Sequence, residues 1–481
     1  MRIRQYLIVT WLIAVVLTIS ECGKKSVQPV VSEAPTSEGK EQPQEQKPEV
    51  EIVDVWYLDK TIQPSGIPSA MYSFLVRKGV PLVSFTLVNN SYNSINVIAT
   101  CEIVGYTDQA EDMEQVPPGG TITIDQAPLF RPNVLEGLTE IKTANLHWEV
   151  SYLKGKDRII IDTQTRPIRL WAKDTIAWYI QARGDTLPCF WTIAMWVTPH
   201  DPKIEELISK AKEYIYFNVV ELNDYIIEPG YYLPCPIKAM AGAPIIGNIN
   251  SDSDVNIYLV DAYNLQRFRN NQTFYYYTGA EHVKSFLIYH VPQVTEEVYL
   301  IIDNTFSWFT SKRVSADIKI YPRLLVGYHE LPWGTREEVV IAQLRAIYDA
   351  LQKEYRITYI NSPISYPYGT QRVRLPRDAL TFGSANCIDG TVLFASALEN
   401  IGLNPLIVIV PGHAFLGVET WSNSGEGFFL ETTMVGGASF EQAFNRGWEE
   451  YTEHASIGDM VILPIREARK EDLTPMAKIV P

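Results

Sequence analysis

A cysteine, a histidine and a glutamate follow one another late in the sequence, in contexts that suit thiol catalysis. Cys387 stands in the run Gly-Ser-Ala-Asn-Cys-Ile-Asp-Gly, His413 in Pro-Gly-His-Ala-Phe, and Glu431 at the end of the apolar run Phe-Phe-Leu-Glu. In this order the three side chains supply a nucleophile, a base and a group that orients the base. The sequence therefore predicts covalent catalysis through a thiolate.

Cys387 is expected at the start of a helix. Asn386 is suited to cap that helix, and Asp389 in its first turn could reach back to an amide near Asn386. The helix has an apolar stripe with a spacing of three or four residues, formed by Ile388, Val392, Ala395 and Leu398. Gly402 is expected to end the helix. The unpaired N–H groups and the dipole at such a helix start favour a thiolate over a thiol.

The segment after this helix is expected to place His413 and Glu431 on paired strands. The β-branched run at residues 406–410 predicts a strand buried on both faces, and His413 follows it after a Pro-Gly turn. A second strand is predicted at residues 415–420, then a hairpin loop at 423–427 and a third strand that carries Glu431. Because residues on paired strands can be cross-strand neighbours, Glu431 is predicted to orient the His413 imidazole.

Simpler structural interpretations compete with these roles. Cysteine is among the most buried residue types, so Cys387 could be an inert core residue. Glu431 could be a solvated or cross-strand-paired carboxylate, in which case Glu419 or Glu426 would be the residue to test. Gln371 is the candidate side-chain donor of an oxyanion hole, beside the backbone N–H of Cys387. Its alternative is an ordinary polar loop residue.

These motifs together resemble the transglutaminase-like branch of the papain-like superfamily. The resemblance covers the C-terminal part of the chain and rests on the runs Asn-Cys-Ile-Asp-Gly-Thr-Val-Leu-Phe-Ala-Ser-Ala-Leu-Glu and Val-Pro-Gly-His-Ala-Phe. It implies a helix-borne nucleophile, Cys387, and a base on the following strand, His413. Where the family usually has aspartate this sequence has Glu431, and Asn386 replaces the more common residue before the cysteine. Similar runs occur in bacterial envelope proteins described only as transglutaminase-like.

The resemblance implies a cysteine hydrolase or acyltransferase that acts on amide or isopeptide bonds of a protein or peptide. Cys387, His413 and Glu431 would form its catalytic triad. The alternative is a catalytically silent transglutaminase-like scaffold that binds an envelope partner. Survival of all three residue types favours the enzyme, because a decayed site would tolerate the loss of any one. Neither a cofactor nor a metal is predicted, since the histidines and cysteines lack metal-ligand spacing.

The N-terminal residues are typical of an exported and anchored protein. A basic start and an apolar run predict a signal peptide over residues 1–21, because the run is short for a membrane span. The segment Ile-Ser-Glu-Cys resembles a bacterial lipoprotein processing site with Cys22 as the lipidated residue, although Glu21 departs from the small residue expected there. Without processing, the apolar run would remain as an anchor. Residues 22–52 are predicted to be a disordered tether, and the predicted location is the bacterial cell envelope.

The rest of the chain is long enough for about three domains. Short β-rich runs separated by turn residues predict an immunoglobulin-like β-sandwich over residues 53–170. A helical connector is predicted over 171–218 and a second β-sandwich over 219–322. An α+β domain of the papain-like, transglutaminase-like type is expected over 323–470.

Two helices in this part of the chain have clear start signals. Asp201 is expected to cap a helix that opens with Pro202. Its predicted apolar face consists of Ile204, Leu207, Ile208, Ala211 and Ile215. Thr335 and Glu338 have the spacing of a capping box at the start of the long helix that leads into the last domain.

The amino-acid composition limits the classes of partner that the chain could bind and the number of disulfides that it could form. The net charge of -15 argues against nucleic-acid binding, which needs a basic stripe. With Cys22 and Cys387 assigned, the remaining three cysteines allow at most one disulfide, expected between Cys189 and Cys235 and leaving Cys101 free.

Aromatic residues are dense at positions 274–277 and 306–309. Such clusters can stack on sugar rings or dock a partner. The alternative is that they are ordinary core and surface residues of the second β-sandwich.

Overall fold

The computed structural model describes residues 55–62, 66–131, 134–182, 185–361 and 369–476. The predicted signal peptide, the predicted tether and Cys22 lie outside these residues. Within them the chain is multidomain and strand-rich, with several sheets and fewer helices. None of the helices in these ranges is both long enough and apolar enough to cross a membrane.

The N-terminal part consists of two sheets that share one core. Its elements are β1 (Val55–Ile62), β2 (Gly66–Ile67), α1 (Tyr72–Arg77), β3 (Val83–Asn89), β4 (Ile95–Ile103), β5 (Ala110–Val116), β6 (Thr121–Gln126), β7 (Lys142–Lys154) and β8 (Asp157–Leu170). The sheets have the strand orders β1-β3-β6 and β2-β8-β7-β4-β5. Buried and partly exposed residues alternate along β3, as expected for a strand with one face on a core. Phe85 from one sheet and Trp148 from the other are fully buried in that core.

The segment predicted as a connector contains short strands and one capped helix. Its elements are β9 (Thr175–Ala177), β10 (Tyr179–Ala182), β11 (Asp185–Pro188), a 3-10 helix (Phe190–Trp196) and α2 (Pro202–Ala211). The predicted start of α2 is confirmed, since Asp201 accepts a hydrogen bond from Lys203 N and Pro202 opens the helix. The buried face of α2 packs into the C-terminal core. Ile215, predicted on the same face, lies beyond the helix and belongs to the core of the next sheet.

The second β-rich part is built around one long strand. Its elements are β12 (Phe217–Ile227), β13 (Tyr232–Ala239), β14 (Ile245–Asp261), α3 (Ala262–Arg269), β15 (Thr278–His290), β16 (Glu296–Asp303) and β17 (Lys312–Ile320). One edge of β14 pairs with β15, and its other edge is shared between β17 at the first half and β16 at the second half. Side chains from all six strands contribute to one core.

The C-terminal part combines helices with a four-stranded sheet. Its elements are α4 (Arg336–Lys353), β18 (Thr358–Tyr359), β19 (Thr370–Arg372), α5 (Pro376–Phe382), β20 (Ser384–Ala385), α6 (Cys387–Asn400), β21 (Pro405–Val410), β22 (His413–Glu419), β23 (Gly427–Leu430), α7 (Phe440–Ile457), β24 (Val461–Pro464) and α8 (Ile465–Lys470). The sheet is antiparallel with the order β23-β22-β21-β24. The predicted capping box of Thr335 and Glu338 is confirmed at the start of α4.

One large core unites elements that are far apart in sequence. Met71 and Phe74 of the N-terminal part, Trp196 of the connector and Phe394 of α6 are all buried in it. Strand β19 also pairs with β9 of the connector. The connector is therefore an integral part of the C-terminal core.

The predicted disulfide between Cys189 and Cys235 is wrong. Both cysteines are free, as are Cys101 and Cys387. Cys189 is buried in the C-terminal core, whereas Cys235 packs on the core of the second β-rich part, so the two lie in different hydrophobic layers. Burial raises the pKa of Cys189 to about 12 and that of Cys235 to about 11. Burial, helped by the charge of Glu102, raises the pKa of Cys101 to about 12. These three thiols are poor nucleophiles at neutral pH.

Candidate active site

The predicted capped start of the Cys387 helix is confirmed. The Asn386 Oδ1 atom accepts a hydrogen bond from Asp389 N at 2.9 Å, and Asp389 Oδ2 accepts one from Asn386 N at 3.2 Å. Asp389 Oδ1 also accepts from Arg374 N at 2.8 Å. Burial raises the pKa of Asp389, although these N–H donors oppose the shift. Cys387 is the first residue of α6, where backbone N–H groups have no helical acceptor.

A tight hairpin fixes His413 opposite the end of the preceding strand. Strands β21 and β22 are antiparallel neighbours, and Val410 pairs with His413 at the turn. Gly412 has a φ of +77°, a left-handed conformation that other residues rarely adopt. His413 is thus the first residue of β22, two positions earlier than the predicted start of that strand.

His413 and Glu431 form a short, largely buried hydrogen bond. The His413 Nε2 atom lies 2.7 Å from Glu431 Oε2. The Glu431 side chain is only 5% exposed. Its other oxygen, Oε1, accepts from Thr433 N at 2.9 Å and from Thr433 Oγ1 at 2.6 Å. Burial alone would raise the pKa of Glu431, but the hydrogen bond to His413, the imidazolium charge and the Thr433 donors lower it. Glu431 is therefore held as a carboxylate.

The same imidazole also interacts with Cys387. Burial alone would lower the pKa of His413, but hydrogen bonds with Cys387 and Glu431, together with their negative charges, raise it to about 10. Because Nε2 is occupied by Glu431, Nδ1 is the ring nitrogen left to face the thiol. This arrangement favours the protonated imidazolium form of His413 next to Cys387.

Close backbone packing positions the carboxylate. Glu431 is the residue after β23, and its backbone N donates to Ala443 O of α7 at 3.0 Å. The 3-10 helix Thr432–Met434 follows and contacts the first turn of α6, where Thr432 Oγ1 donates to Cys387 O at 3.4 Å. A Cβ on Gly390 would come within 3.0 Å of Thr432 Oγ1, so the glycine allows this approach.

The alternative carboxylates lie elsewhere. Glu419, at the end of β22, accepts from Asn404 Nδ2 at 2.6 Å and contacts the Arg466 guanidinium at 3.5 Å. Glu426 is exposed in the hairpin loop. Glu431 is therefore the carboxylate that contacts His413.

Gln371, the predicted oxyanion donor, is held by a contact with the connector. It belongs to β19, and its Oε1 atom accepts from Trp178 Nε1 at 3.2 Å. An indole N–H can only donate, so this contact fixes the carbonyl oxygen toward Trp178. Among the hydrogen bonds of the described ranges, none connects Gln371 with Cys387. Its role as an oxyanion donor stays a prediction.

Two residues of this region were not predicted from the sequence. Tyr359 of β18 lies close to the site. Burial raises the pKa of its hydroxyl, and the nearby charges of Cys387 and Glu431 raise it further. Its hydroxyl therefore remains protonated and able to donate. Glu450 of α7 comes near His413 and Glu431, so that one ligand atom from each lies within 4.8 Å of the others. The only sequence signal for Glu450 is the i, i+4 spacing of Arg446, Glu450 and His454, whose side chains are ion-paired.

The cluster of His413, Glu431 and Glu450 has the composition of a divalent-metal site. Two of its three members already bond to each other through the 2.7 Å contact between His413 and Glu431. Glu450 in turn pairs with Arg446. A cation bound there would compete with the contact between His413 and Glu431.

Comparison with known proteins does not identify a family. No protein-family model matches the chain, and neither does any curated protein. Among solved structures, the secreted serine protease VesC from Vibrio cholerae is 9% identical, with 48% of this chain and 45% of that one covered and a TM-score of 0.14. Tripeptidyl peptidase 2 is 7% identical over 58% of this chain and 19% of its own, also with a TM-score of 0.14.

A provisionally assigned protease from Parabacteroides distasonis is 10% identical over 73% of this chain and 66% of its own, again at a TM-score of 0.14. The chain thus spans less than half the length of VesC and of tripeptidyl peptidase 2. Likenesses at this level support no assignment of fold or activity.

Proposed function

We propose that this protein is a membrane-anchored cysteine hydrolase or acyltransferase of the bacterial cell envelope, with Cys387, His413 and Glu431 as its triad. Its substrate would be an amide or isopeptide bond in a protein or peptide. The C-terminal domain would be of the papain-like, transglutaminase-like type, as its motifs suggest. The N-terminal basic and apolar residues, followed by Cys22, support export and anchoring.

The observation that carries this proposal is the position of His413 between Glu431 and Cys387. Its imidazole bonds to the Glu431 carboxylate at 2.7 Å, and Cys387 at the start of α6 lies close enough to help raise the pKa of His413. A cysteine with a purely structural role would usually be packed among apolar side chains, whereas Cys387 has a protonated histidine beside it. The other three described cysteines have pKa values raised by burial and lack such a partner.

The chemistry follows from this arrangement. The Cys387 thiolate attacks the carbonyl carbon of the scissile amide, and the C–N bond breaks as the His413 imidazolium gives its proton to the leaving nitrogen. A thioester on Cys387 results. Water or an amine then attacks the thioester and loses a proton to His413, and Cys387 leaves as the thiolate. Glu431 keeps its charge throughout and stabilises the imidazolium.

The oxyanion of the tetrahedral intermediate requires fixed donors. The backbone N–H of Cys387 is one candidate, since it lies at a helix start. The proposed second donor is the side-chain amide of Gln371, and the protonated hydroxyl of Tyr359 offers another. Comparing Gln371→Ala with Tyr359→Phe for their effect on turnover distinguishes these two donors.

Thiol labelling tests the proposal before a substrate is known. The full chain is treated with limiting iodoacetamide between pH 6 and 8, and alkylation of each cysteine is followed by mass spectrometry. Cys387 is expected to react faster than a model thiol, and His413→Ala should slow it toward the model rate. Cys235 serves as an internal control because its pKa is raised to about 11.

Screening of peptide and isopeptide libraries then seeks turnover, with Cys387→Ser as the matched inactive variant. If Cys387 reacts no faster than the model thiol and His413→Ala leaves the rate unchanged, the enzyme proposal fails. A scaffold that binds an envelope partner would then be the better description.

A further inference from the structure

The outer face of the second β-rich part carries a small core of its own. Helix α3 lies across this face, with Leu265 buried against Tyr258, Val260 and Ile301. Phe268 and Phe274 pack at the margin of this core. The face is therefore a layered structure with fixed side chains.

A cleft opens beside α3, with a volume of about 310 Å³. It is lined by Tyr232, Phe268, Arg269, Asn271, Gln272, Phe274 and Thr305. Small-molecule sites typically measure ~300–1,000 Å³. The cleft therefore has room for a ligand of the size of one or two sugar rings.

The aromatic walls of the cleft are held in place by one another. Phe268 and Phe274 are perpendicular, with ring centroids 5.3 Å apart, and Tyr232 meets Phe268 at 81° with centroids 5.0 Å apart. Such edge-to-face contacts stabilise a fixed arrangement of rings. The walls are thus formed before any ligand arrives, which reduces the entropy cost of binding.

Polar groups of the cleft retain free hydrogen-bonding capacity. The Arg269 Nε atom donates to Tyr232 Oη at 3.3 Å, but no carboxylate of the described residues pairs with this guanidinium. The side-chain amides of Asn271 and Gln272 have no hydrogen-bond partner in the described part of the chain. Their loop is nevertheless anchored, because Gln272 N donates to Arg267 O at 2.9 Å.

We propose that this cleft is a carbohydrate-binding site that takes a pyranose unit of an oligosaccharide. Aromatic rings offer flat apolar surface to the C–H face of a sugar, and amide and guanidinium donors suit its hydroxyl groups or a ring carboxylate. A purely apolar ligand would leave Arg269 and both amides unpaired. A phosphate ligand would call for more than one cation among the lining residues.

The site is independent of the proposed thiol chemistry, since it lies on a different core from Cys387. A glycan array covering hexoses, N-acetylhexosamines and uronic acids is probed with the full chain. Calorimetry with the best-bound tetrasaccharide then gives the affinity. Arg269→Ala combined with Gln272→Ala is expected to weaken binding at least ~10-fold, because the double variant lacks two of the hydrogen-bonding side chains that line the cleft.

Tyr275→Ala is the matched control, as Tyr275 is 79% exposed beside the cleft without lining it. It should bind like the wild type, and so should Cys387→Ser. Arg269 and Gln272 are both exposed, so the double variant should have the same circular dichroism spectrum and melting temperature as the wild type. Absence of binding to every sugar on the array overturns the proposal, as does equal binding by the double variant. Preference for neutral or for acidic sugars identifies which group Arg269 recognises.

Discussion

Gly447 of α7 lies directly against the backbone of Leu430, the last residue of β23. A Cβ at position 447 would come within 2.5 Å of the Leu430 nitrogen. Helix α7 and strand β23 are therefore in backbone contact immediately before Glu431. The position of the carboxylate that bonds to His413 depends on this contact.

Gly447→Ala is expected to destabilise the protein by roughly 1–3 kcal/mol, the usual cost of overpacking. Helix propensity alone predicts the opposite sign, a gain of about 1 kcal/mol for alanine within a helix. Urea denaturation measures the change, and iodoacetamide labelling reports whether the reactivity of Cys387 falls with it. Gly437→Ala is the control, because a Cβ there meets nothing within 4 Å. A stabilised Gly447→Ala variant would show that the contact is not rigid.

Replacement of Glu431 tests its proposed role in orienting His413. Glu431→Gln keeps the shape but removes the charge that favours the imidazolium, so turnover of an identified substrate should fall by about 10²–10⁴-fold. Glu431→Asp restores the residue usual in the resembled family and should retain substantial activity. Circular dichroism should show that both variants fold. Wild-type turnover by Glu431→Gln would mean that this carboxylate is misassigned.

The raised pKa of His413 predicts a specific dependence of stability on pH. Its folded-state value of about 10 lies above the ordinary 6.5. Protonated His413 therefore contributes stability in full below about pH 6.5, and the contribution is lost as the pH rises toward 10. The difference in free energy of unfolding between wild type and His413→Gln should shrink across this window, measured by urea denaturation at each pH. A difference that stays constant from pH 6 to pH 10 would contradict the raised pKa.

Lipidation of Cys22 is expected in the native host. Mass spectrometry of the mature N-terminus should show a chain that begins at Cys22 and carries an acyl mass. Cys22→Ser should release the protein from the membrane fraction or leave it unprocessed. An intact Met1 would instead indicate an uncleaved anchor.

Local signals predicted the secondary structure around the site well. The capping box of Asn386 and Asp389, the Pro-Gly turn before His413 and the helix start at Asp201 all depend on residues close in sequence. Their chemistry acts within one turn, so the sequence contains the whole interaction. These elements needed no knowledge of the tertiary fold.

Features that depend on distant packing were missed. Gly447 and Glu450 lie on α7, and only the contact of α7 with β23 brings them to the site. Nothing in the sequence near Cys189 or Cys235 shows that the two belong to different cores, so their predicted pairing was wrong. The apolar face of α2 was predicted, but periodicity cannot tell which core a face will join.

The core that contains Cys387's helix also contains Met71 and Leu473, and a hydrogen bond joins Arg77 to Asp472 across 395 positions of sequence. Helix α1 faces two cores, since its Tyr72 lies in the N-terminal core whereas its Phe74 lies in the core shared with α6. The N-terminal sheets and the part of the chain that carries Cys387 are therefore joined through apolar packing as well as through the chain itself. Loss of Phe74 should consequently weaken the packing around α6, although Phe74 and α6 are more than 300 positions apart in sequence.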